Sequence, residues 1–325
     1  FVCVSRARRF GKTVAARTIR AYYDKSCDSH DLFAPYEIAR DPSYEEHINK
    51  YDVIGLDVQS FFLLDDDPQA FIKRLETAVL EEVCAKWSDI DGLKGMGLVN
   101  ALIKVHETTG AKFVFVIDEW DAVFRYYPDD DALQKKWIHF LRDMFKQAAM
   151  NPCVALVYMT GILPVKKYKT QSSLNQFREF SMLRPLLLEK YVGFLPAEVD
   201  ALCEKFEMDR TEAAQWYDGY MLPHEHHVYN PCSVARAMKS RTYGSYWTKT
   251  DTFESLLDYI NNDLDGVYSD VMSMIGGKRV VIDTNSYDNS FTTPQCKDDC
   301  FTLLAHIGYL AYDATTSQVF IPNEE

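Results

Sequence analysis

The sequence predicts an α/β fold: a parallel sheet flanked by helices, then a helical region, then a winged-helix-like C-terminal module. Three observations carry that expectation. An apolar run, Phe1-Val2-Cys3-Val4, enters a short basic loop, Ser5 to Thr13, and leaves it as a helix over Val14 to Tyr23. A second apolar run, Lys112-Phe113-Val114-Phe115-Val116-Ile117, stops abruptly at Asp118-Glu119-Trp120-Asp121. Continuous rather than alternating apolarity marks a parallel strand covered on both faces. From Pro196 the alternation of strands and helices gives way to short helices with capping signals. The expected boundaries are 1–190 for the sheet domain, 191–250 for a helical lid or bundle, and 251–325 for the winged-helix-like module.

In chain order, Tyr51 to Val58 reads as the second strand, after a polar stretch interrupted by Pro35. Asp65-Asp66-Asp67-Pro68 is a helix start signal, and Ala70, Phe71, Leu75, Ala78, Val79 and Val83 follow at helical spacing. A helix over Leu98 to Glu107 ends near Gly110 and delivers the chain to the strand before Asp118. Ala132 to Met150 carries a core-facing stripe of Leu133, Trp137, Phe140, Leu141, Met144 and Phe145. Cys153 to Met159 is a further buried strand, closed by Thr160-Gly161, and Glu179 to Leu183 is read as one more. Lys166 to Phe177 between them reads as an exposed polar loop. Strands alternating with helices imply right-handed crossovers. Asp209-Arg210-Thr211-Glu212 has the order of a capping box, Asp218-Gly219 stops that helix, and Asn230-Pro231 starts another. The tail offers helices over 253–260, 267–275 and 298–307, a strand over 279–283, and a hairpin of 309–312 with 318–321.

The first loop carries the chemistry. A loop that feeds a helix N-terminus aims several backbone N–H groups and the positive end of the helix dipole at one point, which a polyphosphate can fill. Gly11 lets the backbone approach closely, Lys12 reaches the β- and γ-phosphates, and the Thr13 hydroxyl can ligate Mg²⁺. The expected nucleotide-binding set is Arg8, Arg9, Phe10, Gly11, Lys12, Thr13 and Val14, and the sheet is then that of a P-loop NTPase. The Walker pattern places a glycine where this chain has Arg6, so a plain strand–helix junction with a basic surface fits the loop too. Asp118 and Glu119 end a strand where open α/β sheets bind ligands. Asp118 suits Mg²⁺, and Glu119 suits a general base that aligns water against a γ-phosphate. Alone the pair reads more readily as a polar strand end or a helix cap, and the first loop shifts that balance. Thr160, at the tip of the neighbouring strand, is a candidate γ-phosphate sensor or a simple turn hydroxyl.

The net charge of −13 argues against a protein that coats nucleic acid through its overall field. Residues 1 to 25 nevertheless gather Arg6, Arg8, Arg9, Lys12, Arg17, Arg20 and Lys25 against Asp24 alone, a balance suited to a polyphosphate. Eight cysteines without a short-spaced framework suggest reduced thiols in a cytoplasm. No run of about 18 apolar residues is present, so no membrane span is read. Phe1 is not an initiator methionine, so residues are expected to precede it in the native chain.

Several strings in this order resemble one family, the AAA-ATPase-like proteins found mainly in bacteria, which commonly carry a PD-(D/E)XK nuclease-like domain at the C-terminal end. They are Ser5 to Thr13, Asp118-Glu119-Trp120-Asp121, Thr160 to Pro164, Trp216-Tyr217-Asp218-Gly219-Tyr220, Val228-Tyr229-Asn230-Pro231, Tyr246-Trp247, Gly308-Tyr309-Leu310 and Ile321 to Glu325. The likeness spans nearly the full chain. The family's loop looks like Ser-Arg-Pro-Arg-Arg-Phe-Gly-Lys-Ser/Thr, so Arg6 is a family trait, and Ala7 stands where proline is usual. The resemblance implies a P-loop ATPase domain, a helical region and a winged-helix-like tail. The sequence stops about where the nuclease-like domain would begin, so the residues shown do not support nuclease activity.

Arg8 and Arg9 can contact phosphate or stabilise transition-state charge, or stand as solvated arginines. Arg178 and Arg184 are remoter candidates for an arginine finger. His224-Glu225-His226-His227 matches neither H-E-x-x-H nor a zinc finger and reads as an exposed loop. Three functional readings follow: an ATPase acting on Mg²⁺-ATP through Lys12, Thr13, Asp118, Glu119 and Thr160; a nucleotide-binding switch whose tail recruits a protein partner; and a nucleic-acid-associated protein with a vestigial loop. The partners expected are nucleotide, a protein or the nuclease-like domain of a longer chain, and no membrane.

Overall fold

A computed structural model of the chain describes residues 1–62, 67–165, 174–191, 193–222, 227–246, 264–285, 287, 294 and 296–325. Asp65, Asp66, the polar stretch 166–173, His224-Glu225-His226, Trp247 and the helix expected over 253–260 lie outside the described residues. The strands are β1 (Val2–Ser5), β2 (Asp52–Asp57), β3 (Phe113–Asp118), β4 (Val154–Gly161), β5 (Arg178–Phe180), β6 (Tyr220–Met221), β7 (His227–Val228), β8 (Val280–Val281), β9 (Ala311–Asp313) and β10 (Gln318–Phe320). Five of them form the central sheet in the order β2-β3-β4-β1-β5. By contacts the chain divides into two compact units, residues 1–3, 13–161 and 170–178 in the first, and 4–12, 162–169 and 179–325 in the second.

In the first unit β2, β3 and β4 pair in parallel, with Asp57 opposite Asp118 and Asp118 opposite Thr160. Every residue of β3 is buried, as its unbroken apolar run requires of a central strand. Helices Phe71–Lys86 and Leu98–Thr109 connect β2 to β3, and helix Asp131–Phe145 connects β3 to β4. The first of these starts as the sequence signals: Asp67 accepts from Gln69 N–H, and one turn of 3₁₀ helix leads into it. Asp130 caps the third by accepting from Leu133 N–H. The stripe on that helix is core apart from Phe140, which is half-buried. Trp137 is fully buried against Phe71 at 5.5 Å, and its indole N–H donates to the Trp120 carbonyl at 2.9 Å, anchoring the chain just beyond Asp118. At the other end of β2, buried Asp52 pairs with Lys25 at 2.6 Å and Lys86 at 2.7 Å, so its charge is compensated.

The second unit holds helices Pro196–Phe206, Arg210–Tyr217 and Pro231–Ser240, packed around Tyr217, Val234, Ala237 and Met238. Their caps are those the sequence signals: Asp209 accepts from Thr211 and Glu212 N–H, and Asn230 from Cys232 and Ser233 N–H. One expectation is corrected. The stretch read as helices alone also contains the antiparallel ribbon β6-β7, whose two-residue strands are too short to produce a period-2 pattern. Further on, helices Val267–Ile275 and Lys297–Ile307 accompany a three-stranded antiparallel sheet in the order β8-β10-β9. The expected hairpin is present as β9-β10, and β8 adds an edge strand to it.

Glu325 tucks its carboxylate into this unit. Burial raises its pKa above the ordinary 4.5, while hydrogen bonds from Ser233 and the Tyr246 N–H and the charges of Arg9 and Arg236 pull it down. Because the folded pKa exceeds the unfolded one, the stabilisation belongs to the protonated form: it is complete below 4.5 and lost as pH rises through the folded value. Glu325→Gln, neutral at every pH, is therefore expected to unfold at a higher denaturant midpoint than wild type at neutral pH, the gap closing below 4.5. Midpoints that differ equally at both pH values would contradict this.

Candidate functional site

The loop between β1 and helix Lys12–Tyr23 turns through two left-handed positions. Arg9 and Gly11 are left-handed, at φ 68° and 79°, and they alternate with Phe10 and Lys12. Such alternation points successive N–H groups toward one concavity, where an anion can be held. Gly11 takes that conformation freely, whereas Arg9 needs a constraint. The loop's root is fixed by buried polar groups. Ser5 Oγ donates to the Leu163 carbonyl at 2.7 Å, and the Arg6 guanidinium, 1% exposed, donates to the carbonyls of Ser5 and Phe180 at 3.2 Å each. Arg6, which stands where the Walker pattern has glycine, therefore clamps backbone carbonyls. Phe10 packs its ring edge-on against Tyr220 at 5.0 Å, in a cluster with Ala7, Met182 and Val228. Its side chain anchors the loop.

Lys12 is buried, and its Nζ donates to the Ala7 carbonyl at 2.9 Å, so the ammonium folds back across its own loop. Arg8 and Arg9 lie close enough to Tyr309 that, although burial raises the phenol's pKa, their charges lower it in part. Thr13 and Val14, in the first turn of the helix, are exposed, Val14 by 69%. The predicted loop residues Arg8, Arg9, Phe10, Gly11 and Lys12 thus share one feature.

Asp118, Glu119 and Thr160 share another, in the first unit. Asp118 is buried at the end of β3, opposite fully buried Thr160 on β4, and Trp120 N–H donates to the Thr160 carbonyl at 3.1 Å. Asp118 Oδ1 accepts from Glu119 N–H at 3.0 Å. Glu119 is left-handed at φ 53°, which turns the chain sharply off the strand. Gly161 lies beside this turn for a steric reason: a Cβ there would come within 2.5 Å of Asp121 Oδ1 and 2.7 Å of the Trp120 ring. Sequence reasoning missed Arg125. Its guanidinium bonds Glu119 and lies 3.3 Å from Asp121. Burial opposes its charge, but the two carboxylates outweigh burial and raise its pKa. The signal was present as an i,i+4 pair, Asp121 to Arg125, on a short helix, Ala122–Tyr126.

Arg178 and Arg184 are exposed. His227 donates or accepts at 2.6 Å with Asp218, so the one described member of the histidine run serves the β6-β7 ribbon. Among the described residues no three His, Cys, Asp or Glu side chains gather as a metal site, and no helix is long and apolar enough to cross a membrane.

A family model described as "Predicted AAA-ATPase" matches residues 1–170. No curated protein matches the chain. Among solved structures, the crystal structure of Cdc6p from Pyrobaculum aerophilum is similar at 11% identity and a TM-score of 0.31, over 99% of this chain and 83% of that one. That likeness is too distant to decide anything about this chain.

Proposed function

Because the chain belongs to the AAA-ATPase-like family, we propose that it binds Mg²⁺-ATP at the loop Arg8 to Val14 and hydrolyses it to ADP and phosphate. The observation that carries this reading is the alternation of left-handed Arg9 and Gly11 immediately before Lys12 and a helix N-terminus. Lys12 exchanges the Ala7 carbonyl for the β- and γ-phosphate oxygens, a charge-assisted contact in place of a neutral one. Arg8 and Arg9 add positive charge beside it. Thr13 and Asp118 hold the metal ion, which when bound neutralises charge on the phosphates. Glu119 takes the proton of the attacking water, and Thr160 senses the γ-phosphate.

One observation favours a second reading. Glu119 is bonded to Arg125, and a carboxylate held by a guanidinium is a weak base. A chain in which that pair never opens binds nucleotide and turns it over slowly, acting as a switch. The division into 1–190, 191–250 and 251–325 stands in this proposal, with the last segment read as winged-helix-like on the two helices and three-stranded sheet among its described residues and assigned to protein contact in the cytoplasm. Titration with Mg²⁺-ATP and Mg²⁺-GTP, followed by phosphate release, tests the whole. Saturable binding with release supports the enzyme, binding without release supports the switch, and no binding removes both.

A further inference from the structure

The segment Pro322 to Glu325, called the tail below, is bound along its length to the corner closing helix Arg210–Tyr217. Asn323 Nδ2 donates to the Asp218 carbonyl at 2.6 Å, Glu324 N–H donates to the Gln215 carbonyl at 3.2 Å, and Gln215 Nε2 donates to Glu324 Oε1 at 2.6 Å. Gly219 makes room for this. A Cβ there would come within 2.0 Å of the Pro322 carbonyl oxygen. Held so, Glu325 directs Oε1 inward, where it accepts from Ser233 Oγ at 2.7 Å and from Tyr246 N–H at 2.9 Å. The carbonyl of the same tyrosine accepts from the Arg9 guanidinium. Tyr246 is further fixed by its hydroxyl, which donates to the Thr242 carbonyl at 2.8 Å.

One residue thus joins the tail to the phosphate loop, with its N–H on Glu325 and its carbonyl on Arg9. The join falls on the loop position that needs it. Arg9 is left-handed without being glycine, a conformation that persists only where the surroundings over-determine it. If the guanidinium lost its acceptor, Arg9 would relax toward the right-handed region, and the N–H groups on either side would no longer converge. The Ser233 bond explains why the carboxylate stays put. Ser233 sits in the first turn of helix Pro231–Ser240, beside the Asn230 cap, on backbone that is itself fixed.

We propose that Glu325 and Tyr246 are positioning residues for the phosphate site: by holding Arg9 left-handed they keep the cradle open, so the tail sets the loop's affinity for nucleotide phosphate. This rests on the reading of the loop as an ATP site. A tail that merely staples its own unit would lower stability when cut and leave binding by the folded protein unchanged. The two roles separate in a substitution cycle, because glycine adopts the left-handed conformation without help.

The experiment measures Mg²⁺-ATP affinity calorimetrically for the full chain, as wild type, Glu325→Ala and Glu325→Gln, each with Arg9 and with Arg9→Gly. Glu325→Ala is expected to weaken binding about tenfold, the scale of one lost buried hydrogen-bond link. Glu325→Gln keeps the Oε1 acceptor and is expected to stay within about twofold of wild type. In the Arg9→Gly background, Glu325→Ala is expected to add no loss, whatever phosphate contact Arg9 itself contributes. Equal affinity of folded Glu325→Ala and wild type overturns the proposal, and so does an equal loss in both Arg9 backgrounds. Should Glu325→Ala not fold, Ser233→Ala takes its place in the cycle, with a loss of about threefold expected that again vanishes with Arg9→Gly. If wild type binds no Mg²⁺-ATP, the ATP-site reading falls together with this one. If Lys12→Ala loses binding while the Glu325 variants do not, only this inference falls.

Discussion

Lys12→Ala is expected to weaken Mg²⁺-ATP binding by about a thousandfold, because it removes a buried, hydrogen-bonded charge from the point where the phosphate charge is densest. The size follows from the setting. Lys12 is only 7% exposed, so water screens its ammonium poorly, and its Nζ already rests 2.9 Å from the Ala7 carbonyl of the same loop. A phosphate oxygen entering the cradle meets a cation that needs little ordering. Fold is expected to survive, since alanine is the best helix former and the position opens helix Lys12–Tyr23. Calorimetric titration and a thermal melt on the same sample check both statements. A folded variant that binds within tenfold of wild type would mean that the loop's backbone alone carries the affinity, or that the nucleotide lies elsewhere.

The elements that were legible in the sequence are those whose signal is local. β3 could be read because a strand buried on both faces must be apolar throughout, and the polar tip Asp118-Glu119 could be read because it breaks that run. The caps at Asp67, Asp209 and Asn230 could be read because a cap is a side chain bonded to backbone two or three residues on. Arg6 was legible as a departure from the Walker pattern, but its work was not. Its guanidinium bonds the carbonyl of Phe180, far along the chain, and no local pattern encodes such a partner. The same holds for the bond between Arg9 and Tyr246. Arg125 lies between these cases: its spacing from Asp121 was visible, but its bond to Glu119 depends on the left-handed turn at Glu119, which sequence does not announce in a non-glycine residue.

Glu119→Gln separates the two readings of the site, and its expected effect is a fall in phosphate release of about a hundredfold to ten-thousandfold, the contribution of a positioned general base. Binding is expected to hold within about twofold, because Glu119 is assigned to water and not to the nucleotide. The substitution is mild for a reason specific to this turn. Glutamine keeps an amide oxygen that can accept from the Arg125 guanidinium, and Asp121 remains beside Arg125 to compensate its charge, so no buried ion is left alone. What disappears is the negative charge that makes the group a base. Arg125→Ala could not serve in its place: it would leave Asp121, fully buried, without its cation, and a loss of turnover could not be told from local unfolding. Three outcomes then decide. A measurable wild-type rate that collapses in Glu119→Gln assigns the base. Equal rates in the two proteins place the base on another group, and a wild type that binds Mg²⁺-ATP but releases no phosphate identifies the Glu119–Arg125 pair as the lock of a switch.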